Sequence, residues 1–236
     1  MNFAVIGSGG REHAICYKLK QSKKIGKLIC LPGNAGTEKI AKNIEVDISN
    51  FNLVYETIKD EKINIVIIGP EQPLVDGLVD FLKEKNVLVF GPDKFASQLE
   101  GSKAFMKDLC KRNSIPTANY GVFTDFKEAE NFIKKNKMPI VVKADGLAAG
   151  KGVTVCASTG EAKEKVKEIL NGKFRSSKKV VLEEFLEGEE LSYFVIADEN
   201  SYNFFGSAQD HKKVGEKETG PNTGGMGAYS PAPIIK

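Results

Sequence analysis

The chain has 236 residues, 41% hydrophobic and 28% charged, which is ordinary for a globular protein and predicts one large domain or two of modest size. Its 34 basic and 31 acidic residues leave a formal net charge of +3, so electrostatics give no case for binding nucleic acid or an anionic membrane. No apolar run approaches the roughly 18 residues of a membrane-spanning helix, and the short apolar opening does not fit a signal peptide. We therefore expect a cytoplasmic protein.

The first hundred residues alternate short apolar runs with helical patterns. Strands are predicted at 3–6, 28–31, 63–68 and 87–90, and helices at 11–21, 53–59 and 77–84. The apolar runs are nearly continuous rather than alternating, which indicates strands buried on both faces of a parallel sheet. Residues 1–101 are therefore predicted to form a doubly wound α/β domain.

The rest of the chain changes character after a predicted hinge. Residues 102–118 are predicted to be a linker helix that ends at the segment S-I-P-T. Strands are then predicted at 119–122, 140–143, 153–156 and 180–182, and apolar stripes at helical spacing run through 126–133 and 162–170. These elements predict a small α+β domain at 119–187. Residues 188–236 are predicted to begin a further sheet, with a strand at 191–197.

The cysteines and histidines exclude some kinds of site. Four cysteines, at positions 16, 30, 110 and 156, lack a C-x-x-C spacing, which favours separate reduced thiols over a disulfide framework or a zinc site. The only two histidines are His13 and His211, so a multi-histidine metal centre is excluded.

The first glycine-rich loop lies between the first predicted strand and the first predicted helix. It resembles the dinucleotide fingerprint G-x-G-x-x-G, but Glu12 occupies the third glycine position, and Leu31 ends the second strand, where an acidic residue would hold a ribose. A nicotinamide cofactor is therefore disfavoured. The helix N-terminus beside Gly9, Gly10 and Arg11 suits a single phosphate, although a tight strand-to-helix turn explains the same residues.

Two further loops, 32–37 and 69–74, follow strands of the same predicted sheet. Ligands of open α/β sheets bind outside the carboxyl ends of the strands. Each loop alone is a turn, but three loops of small residues at one edge predict a ligand site.

The most informative segment is 139–153, in which an apolar strand ends in Lys143 and runs into a glycine loop. The loop contains Gly146, Gly150, Lys151 and Gly152. Ammonium groups and backbone N–H donors offset the charge of a polyphosphate. The segment is not a P-loop, because three rather than four residues separate its first two glycines and no hydroxyl follows Lys151. A charge that leaves a buried strand normally needs a partner, which distinguishes Lys143 from a surface lysine such as Lys103.

An acidic segment follows the strand predicted at 180–182. For Glu184 and Glu187 a strand edge with an acidic turn is the simplest interpretation. The pair Phe185-Leu186, flanked by acids, is instead typical of a connector that presents backbone groups to a purine and a carboxylate to ribose hydroxyls.

The last candidate segment joins Asp210, His211 and Lys212 to the glycine-rich residues 220–227. Residues 220–227 are too glycine-rich and too neutral to predict a strand or helix. They suit either a flexible linker or an anion-binding nest, and the neighbouring His211 and Lys212 favour the nest.

Together these segments resemble the phosphoribosylamine–glycine ligase family, purine-biosynthesis enzymes of the ATP-grasp superfamily. The resemblance covers essentially the whole chain. It is carried, in the order of the family, by GSGGREHA, PGNAGT, GPEQPLVDG, QLEGSKAFMK, KADGLAAGKGV, EEFLEGEELS and QDHKKVGEKETGPNTGGMGAYSPAP. It implies an N-terminal pre-ATP-grasp α/β domain, then the ATP-grasp small α+β domain and the start of the larger ATP-grasp sheet.

The resemblance implies ATP-dependent ligation of glycine to 5-phosphoribosylamine through glycyl phosphate, with Mg²⁺ or Mn²⁺. The implied catalytic residues are Lys143, Asp210, His211 and Lys212. The implied ATP contacts are Lys103, Lys143, Gly146, Gly150, Lys151, Gly152, Glu183, Glu184, Phe185, Leu186 and Glu190. The implied substrate contacts are Gly9, Gly10, Arg11, Glu12, His13, Asn34, Gly36, Thr37, Pro70, Glu71, Asn222, Thr223, Gly224, Gly225 and Met226.

Members of this family run to roughly twice this length. The resemblance implies no metal ligand within residues 1–236, and the magnesium ligands are expected beyond Lys236. The chain is therefore expected to be an incomplete form of the ligase, and a non-catalytic nucleotide-binding fragment is the alternative. A nicotinamide-dependent oxidoreductase is a third and weaker hypothesis. We expect a monomer whose partners are small molecules, with neither nucleic acid nor membrane among them.

Overall fold

The computed structural model describes residues 1–148, 150–174, 178–216 and 219–235, without the side chains of residues 221 and 222. The chain divides into two compact units. Unit 1 contains Met1–Thr117 together with Asp145–Leu147, and unit 2 contains the remaining residues. In this described part of the chain, no helix is long and apolar enough to cross a membrane.

Unit 1 is built on the doubly wound parallel sheet that the sequence predicts. Its strands are β1 (Phe3–Gly7), β2 (Leu28–Pro32), β3 (Lys42–Asn43), β4 (Ile65–Ile68) and β5 (Leu88–Phe90), in the order β3-β2-β1-β4-β5. All neighbours pair in parallel, and Phe3 lies opposite both Leu28 and Ile65. Because the order reverses beside β1, the carboxyl ends of β1 and β4 form the switch point at which such sheets bind ligands.

Both faces of this sheet are buried, which explains the continuous apolar runs. Ala4 and Ile6 belong to one core cluster, whereas Val5 belongs to a second cluster with Cys16. The helices of unit 1 are α1 (Gly10–Lys20), α2 (Phe51–Asp60), α3 (Glu71–Asp76), α4 (Leu78–Glu84), α5 (Gln98–Gly101) and α6 (Lys103–Arg112), with a 3₁₀ turn at Thr37–Lys39.

Two details of unit 1 differ from the sequence prediction. The segment 69–74, expected to be a loop, contains most of α3, because Pro70 serves as its N-cap and Pro73 lies in its first turn, where a missing N–H costs nothing. Gly77, expected within a helix, separates α3 from α4 in a left-handed conformation with φ of 100°.

Unit 2 begins with a four-stranded antiparallel sheet. Its strands are β6 (Tyr120–Phe123), β7 (Ile140–Ala144), β8 (Val153–Cys156) and β9 (Val180–Glu184), in the order β6-β9-β7-β8. Helices α7 (Phe126–Lys135) and α8 (Thr159–Leu170) begin at the capping side chains of Asp125 and Ser158. They cover one face, where Ile140, Val142 and Leu182 are buried. Lys143 and Glu183 therefore lie on the other face, since successive side chains alternate along a strand.

The rest of unit 2 is a second set of strands. They are β10 (Ser192–Ala197), β11 (Tyr202–Asp210), β12 (Lys213–Gly215), β13 (Thr219–Asn222) and β14 (Ala228–Tyr229). Strands β10, β11 and β14 form one sheet, and β12 and β13 form a hairpin. The prediction that 220–227 contains no strand was wrong, because β13 is held by pairing with β12 despite its glycine. Strand β11 is an addition that the sequence analysis did not predict.

Candidate functional site

The switch point of the unit 1 sheet is filled by the side chain of Glu12. Its Oε2 accepts a hydrogen bond from the backbone N–H of Gly9 at 2.6 Å, and Glu12 is only 4% exposed. A Cβ atom at Gly7 would lie 2.7 Å from the Glu12 side chain, and one at Gly69 would collide with its carboxylate. These glycines are therefore needed for close packing, and Glu12 caps the loop from inside.

Arg11 joins the first loop to the segment after β4. Its guanidinium donates to the carbonyl oxygen of Gly69 at 2.6 Å and to Glu71 at 3.0 Å, while 59% of its side chain stays exposed. Burial acts to raise the pKa of Glu71, but hydrogen bonds from its own backbone N–H and from Arg11 outweigh burial, so the pKa lies below its usual value. An exposed guanidinium at a helix N-terminus provides hydrogen-bond donors and positive charge for binding an anion.

Asn34 fastens the second loop to the first. Its side-chain amide donates to the carbonyl oxygen of Ser8 at 2.9 Å, and its Oδ1 accepts from the N–H groups of Gly36 and Thr37 at 2.7 and 3.0 Å. A Cβ at Gly36 would lie 2.7 Å from the His13 ring. The structure thus brings together all three loops that the sequence places at this edge.

Lys143 is held by an ion pair in unit 2. Its Nζ lies 2.8 Å from Oε2 of Glu183, and the two side chains are 23% and 5% exposed. The partner that Lys143 was predicted to need is therefore Glu183, a residue that the family resemblance implies as an ATP contact. This arrangement fixes the ammonium at the end of β7, where the glycine loop begins.

The glycine loop closes back on the strand that precedes it. The Ala144 N–H donates to the carbonyl oxygen of Gly152 at 2.8 Å, and the Lys151 N–H donates to Ala148 at 2.9 Å. Gly150 has a φ of 75°, which L side chains rarely adopt. Lys151 is exposed. The loop therefore presents a cation on a short hairpin; residue 149 lies outside the described residues.

In unit 1, Lys103 opens α6 and contacts the first residues of the same loop. Its Nζ donates to the carbonyl oxygen of Gly146 at 2.9 Å. Beside it, Asp145 accepts hydrogen bonds from Ser102 and from the Ala104 N–H. Asp145 is not among the predicted site residues, although its position as an acidic residue directly after a buried strand was the available signal.

The acidic segment divides into a local contact and an exposed part. The Glu184 carboxylate accepts from both the N–H and the side-chain amide of Asn119, at 2.9 and 3.1 Å, as expected for a strand-edge role. Phe185 and Leu186 are 41% and 62% exposed, so an apolar surface is open beside β9. Glu190 forms an ion pair with Lys212 and raises the pKa of that lysine.

The segment 210–212 and the last glycine loop lie together, as the sequence predicts. The His211 N–H donates to Gly227 at 2.9 Å, and the Met226 N–H donates to His211 at 2.7 Å. Thr223 donates from its hydroxyl to the carbonyl oxygen of Lys212 at 2.9 Å, and its Oγ1 accepts from the Gly225 N–H. The candidate Asn222 side chain lies outside the described residues, and Gly224 is exposed.

A metal site requires several acidic, cysteine or histidine side chains to lie close together. Within the ranges that the structure describes, no three of them are grouped so as to hold a metal ion. Asp210 lies 3.8 Å from Lys212 instead. Lys236, the residue beyond which the magnesium ligands are expected, lies outside the described residues, so the location of those ligands stays a prediction.

Two family models match the chain. The family model of the phosphoribosylglycinamide synthetase N domain matches residues 1–100, and that of the ATP-grasp (A) domain of the same family matches residues 101–236. The phosphoribosylamine–glycine ligases of Mesorhizobium japonicum and Haemophilus influenzae are 49% and 48% identical to the chain. Each match covers 100% of this chain and 56% of the relative, so the chain spans about half the length of the curated relatives it matches.

Solved structures give the same result. The crystal structure of phosphoribosylamine–glycine ligase from Thermotoga maritima superposes with a TM-score of 0.82 at 34% identity, covering 97% of this chain and 55% of that one. The biotin carboxylase domain of the Hydrogenobacter thermophilus 2-oxoglutarate carboxylase, at 19% identity and a TM-score of 0.72, covers 88% of this chain and 49% of that one, and shares the fold alone. Since the two family matches together run from residue 1 to residue 236, the chain belongs to the phosphoribosylamine–glycine ligase (phosphoribosylglycinamide synthetase) family.

Proposed function

We propose that this chain supplies the nucleotide- and amine-binding parts of an ATP-dependent ligase that joins glycine to 5-phosphoribosylamine. The observation that carries the proposal is the Lys143 ammonium, fixed by Glu183 at the entrance to a glycine loop that carries Lys151. Two cations beside a glycine-rich backbone suit the phosphates of ATP. Membership of the phosphoribosylamine–glycine ligase family supports the assignment of this site to that ligation.

The proposed reaction has two steps that the residues would assist by position and charge. A glycine carboxylate oxygen attacks the γ-phosphorus of ATP, which releases ADP and forms glycyl phosphate. The amine of phosphoribosylamine then attacks the glycyl carbonyl, loses a proton and displaces phosphate, leaving glycinamide ribonucleotide. Such transfers depend mainly on alignment and charge neutralisation, so lysines serve better than a covalent nucleophile.

We assign ATP binding to the candidate residues around the glycine loop and in the acidic segment. Lys103, Lys143 and the 146–152 loop would bind its phosphates, residues 183–186 would frame the adenine, and Glu190 would hold the ribose. Loop closure would also protect an acyl phosphate from water. Glu190 is paired with Lys212 here, so ribose binding would exchange that ion pair for hydroxyl hydrogen bonds.

The amine substrate would bind beside the switch point of unit 1, on the exposed side of the loops that pack against Glu12. Arg11 and the α1 N-terminus would hold its phosphate, with His13, Asn34 and Glu71 near the sugar. Glu12 would act from below by capping Gly9. The 220–227 loop would also face the substrates, phosphoribosylamine and glycine. Asp210, His211 and Lys212 would lie near the transferring phosphoryl group.

The ligase family also implies a divalent ion, Mg²⁺ or Mn²⁺, which would neutralise phosphate charge. In the part of the chain that the structure describes, the acidic side chains are not grouped to hold it. The acidic residues that the structure describes therefore do not fit the ion. A non-catalytic nucleotide-binding fragment is the second candidate.

We also propose a cytoplasmic monomer.

Calorimetric titration with ATP tests the nucleotide site directly. We expect saturable binding by the chain, and loss of binding in the double variant Lys143→Met/Glu183→Gln, which removes the ammonium without stranding its buried partner. Lys163→Met is the matched control, because Lys163 also sits in an ion pair of unit 2, 2.8 Å from Glu130. Unchanged affinity in the double variant would overturn the assignment of Lys143.

Release of ADP that requires both glycine and phosphoribosylamine separates the two candidates. Such release supports the ligase, whereas ATP binding without turnover supports the binding fragment. Saturable binding of NAD instead of ATP would restore the oxidoreductase hypothesis.

A further inference from the structure

Asp145 is a buried carboxylate to which the proposed function assigns no role. It is 6% exposed and follows β7 directly. Its oxygens accept from the Ser102 hydroxyl at 3.1 and 3.3 Å, and Oδ1 also accepts from the Ala104 N–H at 3.2 Å. A buried carboxylate is costly unless it is hydrogen-bonded, and here the donors lie at the N-terminus of α6, where the helix dipole also favours a negative charge.

The helix does not need this carboxylate as a cap. Ser102 already serves as the N-cap of α6, because its Oγ accepts from the Phe105 N–H at 3.1 Å. Asp145 adds a second cap from 43 residues further along the chain. Because α6 already has an N-cap, the hydrogen bonds of Asp145 are best explained by their effect on the start of the glycine loop, which carries Asp145.

Lys103 completes this attachment one residue further on. It donates to the carbonyl oxygen of Gly146 at 2.9 Å, and Gly146 has a φ of 89°, a turn that glycine makes without strain. Residues 102–104 thus hold residues 145 and 146, and these five residues are called the clasp. The contacts agree with the grouping of Asp145–Leu147 with Met1–Thr117 in unit 1.

We propose that Asp145 is a positioning residue that fixes the start of the glycine loop on the N-terminus of α6. Lys103 and residues 145 and 146 are then held together before a polyphosphate binds. An ammonium has three N–H donors, so Lys103 can keep its bond to Gly146 while donating to a phosphate oxygen. The role in binding rests on the proposed function, but the mechanical role of the clasp does not.

Amide hydrogen exchange without nucleotide tests the mechanical role. The Lys151 N–H, bonded to Ala148, reports on the order of the loop. Asp145→Ala should speed its exchange about tenfold, since a hydrogen bond to a charged group is lost and exchange follows local opening. Asp145→Asn, which still accepts from Ala104, should restore most of the protection.

The matched control is Asn50→Ala, which removes the N-cap of α2 in the same unit, where the side chain accepts from Leu53 at 3.2 Å. This variant should lower stability without changing exchange at Lys151. Equal exchange of Lys151 in Asp145→Ala and in the unaltered chain would overturn the proposal. Should Asp145→Ala fail to fold, Ser102→Ala against Ser102→Thr gives the same comparison, because only threonine keeps the hydroxyl.

The affinity for ATP gives the second readout. Asp145→Ala should weaken binding about tenfold, whereas Asn50→Ala should leave the dissociation constant unchanged. An equal loss of ATP affinity in both variants would mean that Asp145 acts only as a structural cap, and it would overturn the positioning role. Absence of ATP binding by the unaltered chain would instead overturn the proposed function, and the exchange comparison would still decide whether the clasp orders the loop.

Discussion

Removal of the Lys143 ammonium should destabilise unit 2 for a reason unrelated to nucleotide. Glu183 is 5% exposed and lies 2.8 Å from the ammonium that offsets its charge. Breaking a buried ion pair from one side costs about 3–5 kcal/mol, and the 23% exposure of Lys143 places Lys143→Met near the lower value of about 3 kcal/mol. Glu183→Gln in the same chain removes the buried charge and should recover most of this loss.

Urea denaturation measures the effect. With a denaturant slope of about 1–3 kcal/mol per molar, a loss of about 3 kcal/mol should lower the midpoint by about 1–3 M in Lys143→Met, and the midpoint should return toward its original value in the double variant. Amide exchange in β7 and β9 would assign the change to unit 2. A single variant as stable as the unaltered chain, or a double variant no better than the single one, would refute the reasoning.

Three further outcomes follow from other parts of the molecule. Gly69→Ala should lower the free energy of unfolding by about 1–3 kcal/mol, because the added Cβ would collide with the Glu12 carboxylate. An equally large loss of stability from Gly69→Ala in a Glu12→Ala background would contradict this. Hydrogen bonds from two lysines lower the pKa of Glu61 below its usual value of 4.5. The ionised carboxylate therefore stabilises the fold by less than about 1 kcal/mol above pH 4.5, and this stabilisation is lost as the pH falls through the lowered pKa. A difference in the free energy of unfolding between the unaltered chain and Glu61→Gln that grows on acidification would contradict this. Burial raises the pKa of Cys156 to about 11, so iodoacetamide at about pH 8 should label the half-buried Cys110 before Cys156, as mass spectrometry of the native protein would show. Equal labelling of the two cysteines would contradict this.

The first sheet was predictable because its strands are buried on both faces. Continuous apolar runs leave few alternatives to a covered parallel sheet, and residues such as Ile6 and Val66 are fully buried. Helix α3 was not predictable, because Pro73 mimics a loop signal and only the left-handed Gly77 ends the turn. Strands β11, β13 and β14 depend on partners whose register no local pattern specifies.

In the candidate site, too, some features follow from the local sequence and others depend on residues far away in the chain. That Lys143 needs a partner follows from its place at the end of a buried strand. That the partner is Glu183 follows only from the pairing of β7 with β9, in which Lys143 lies opposite Val181 and Glu183 lies opposite Val141. Asp145 was missed for the same reason, since its donors on α6 are more than forty residues away.

The hairpin of β10 and β11 presents an apolar strip. Tyr193, Phe194, Val195 and Ile196 occupy four consecutive positions and are each 44–55% exposed, so side chains on both faces of the strand are exposed. Exposed apolar strips of this kind are surfaces that another polypeptide segment can cover. The solubility of the polypeptide should therefore depend on whether that strip is covered, more than on the well-packed parallel sheet.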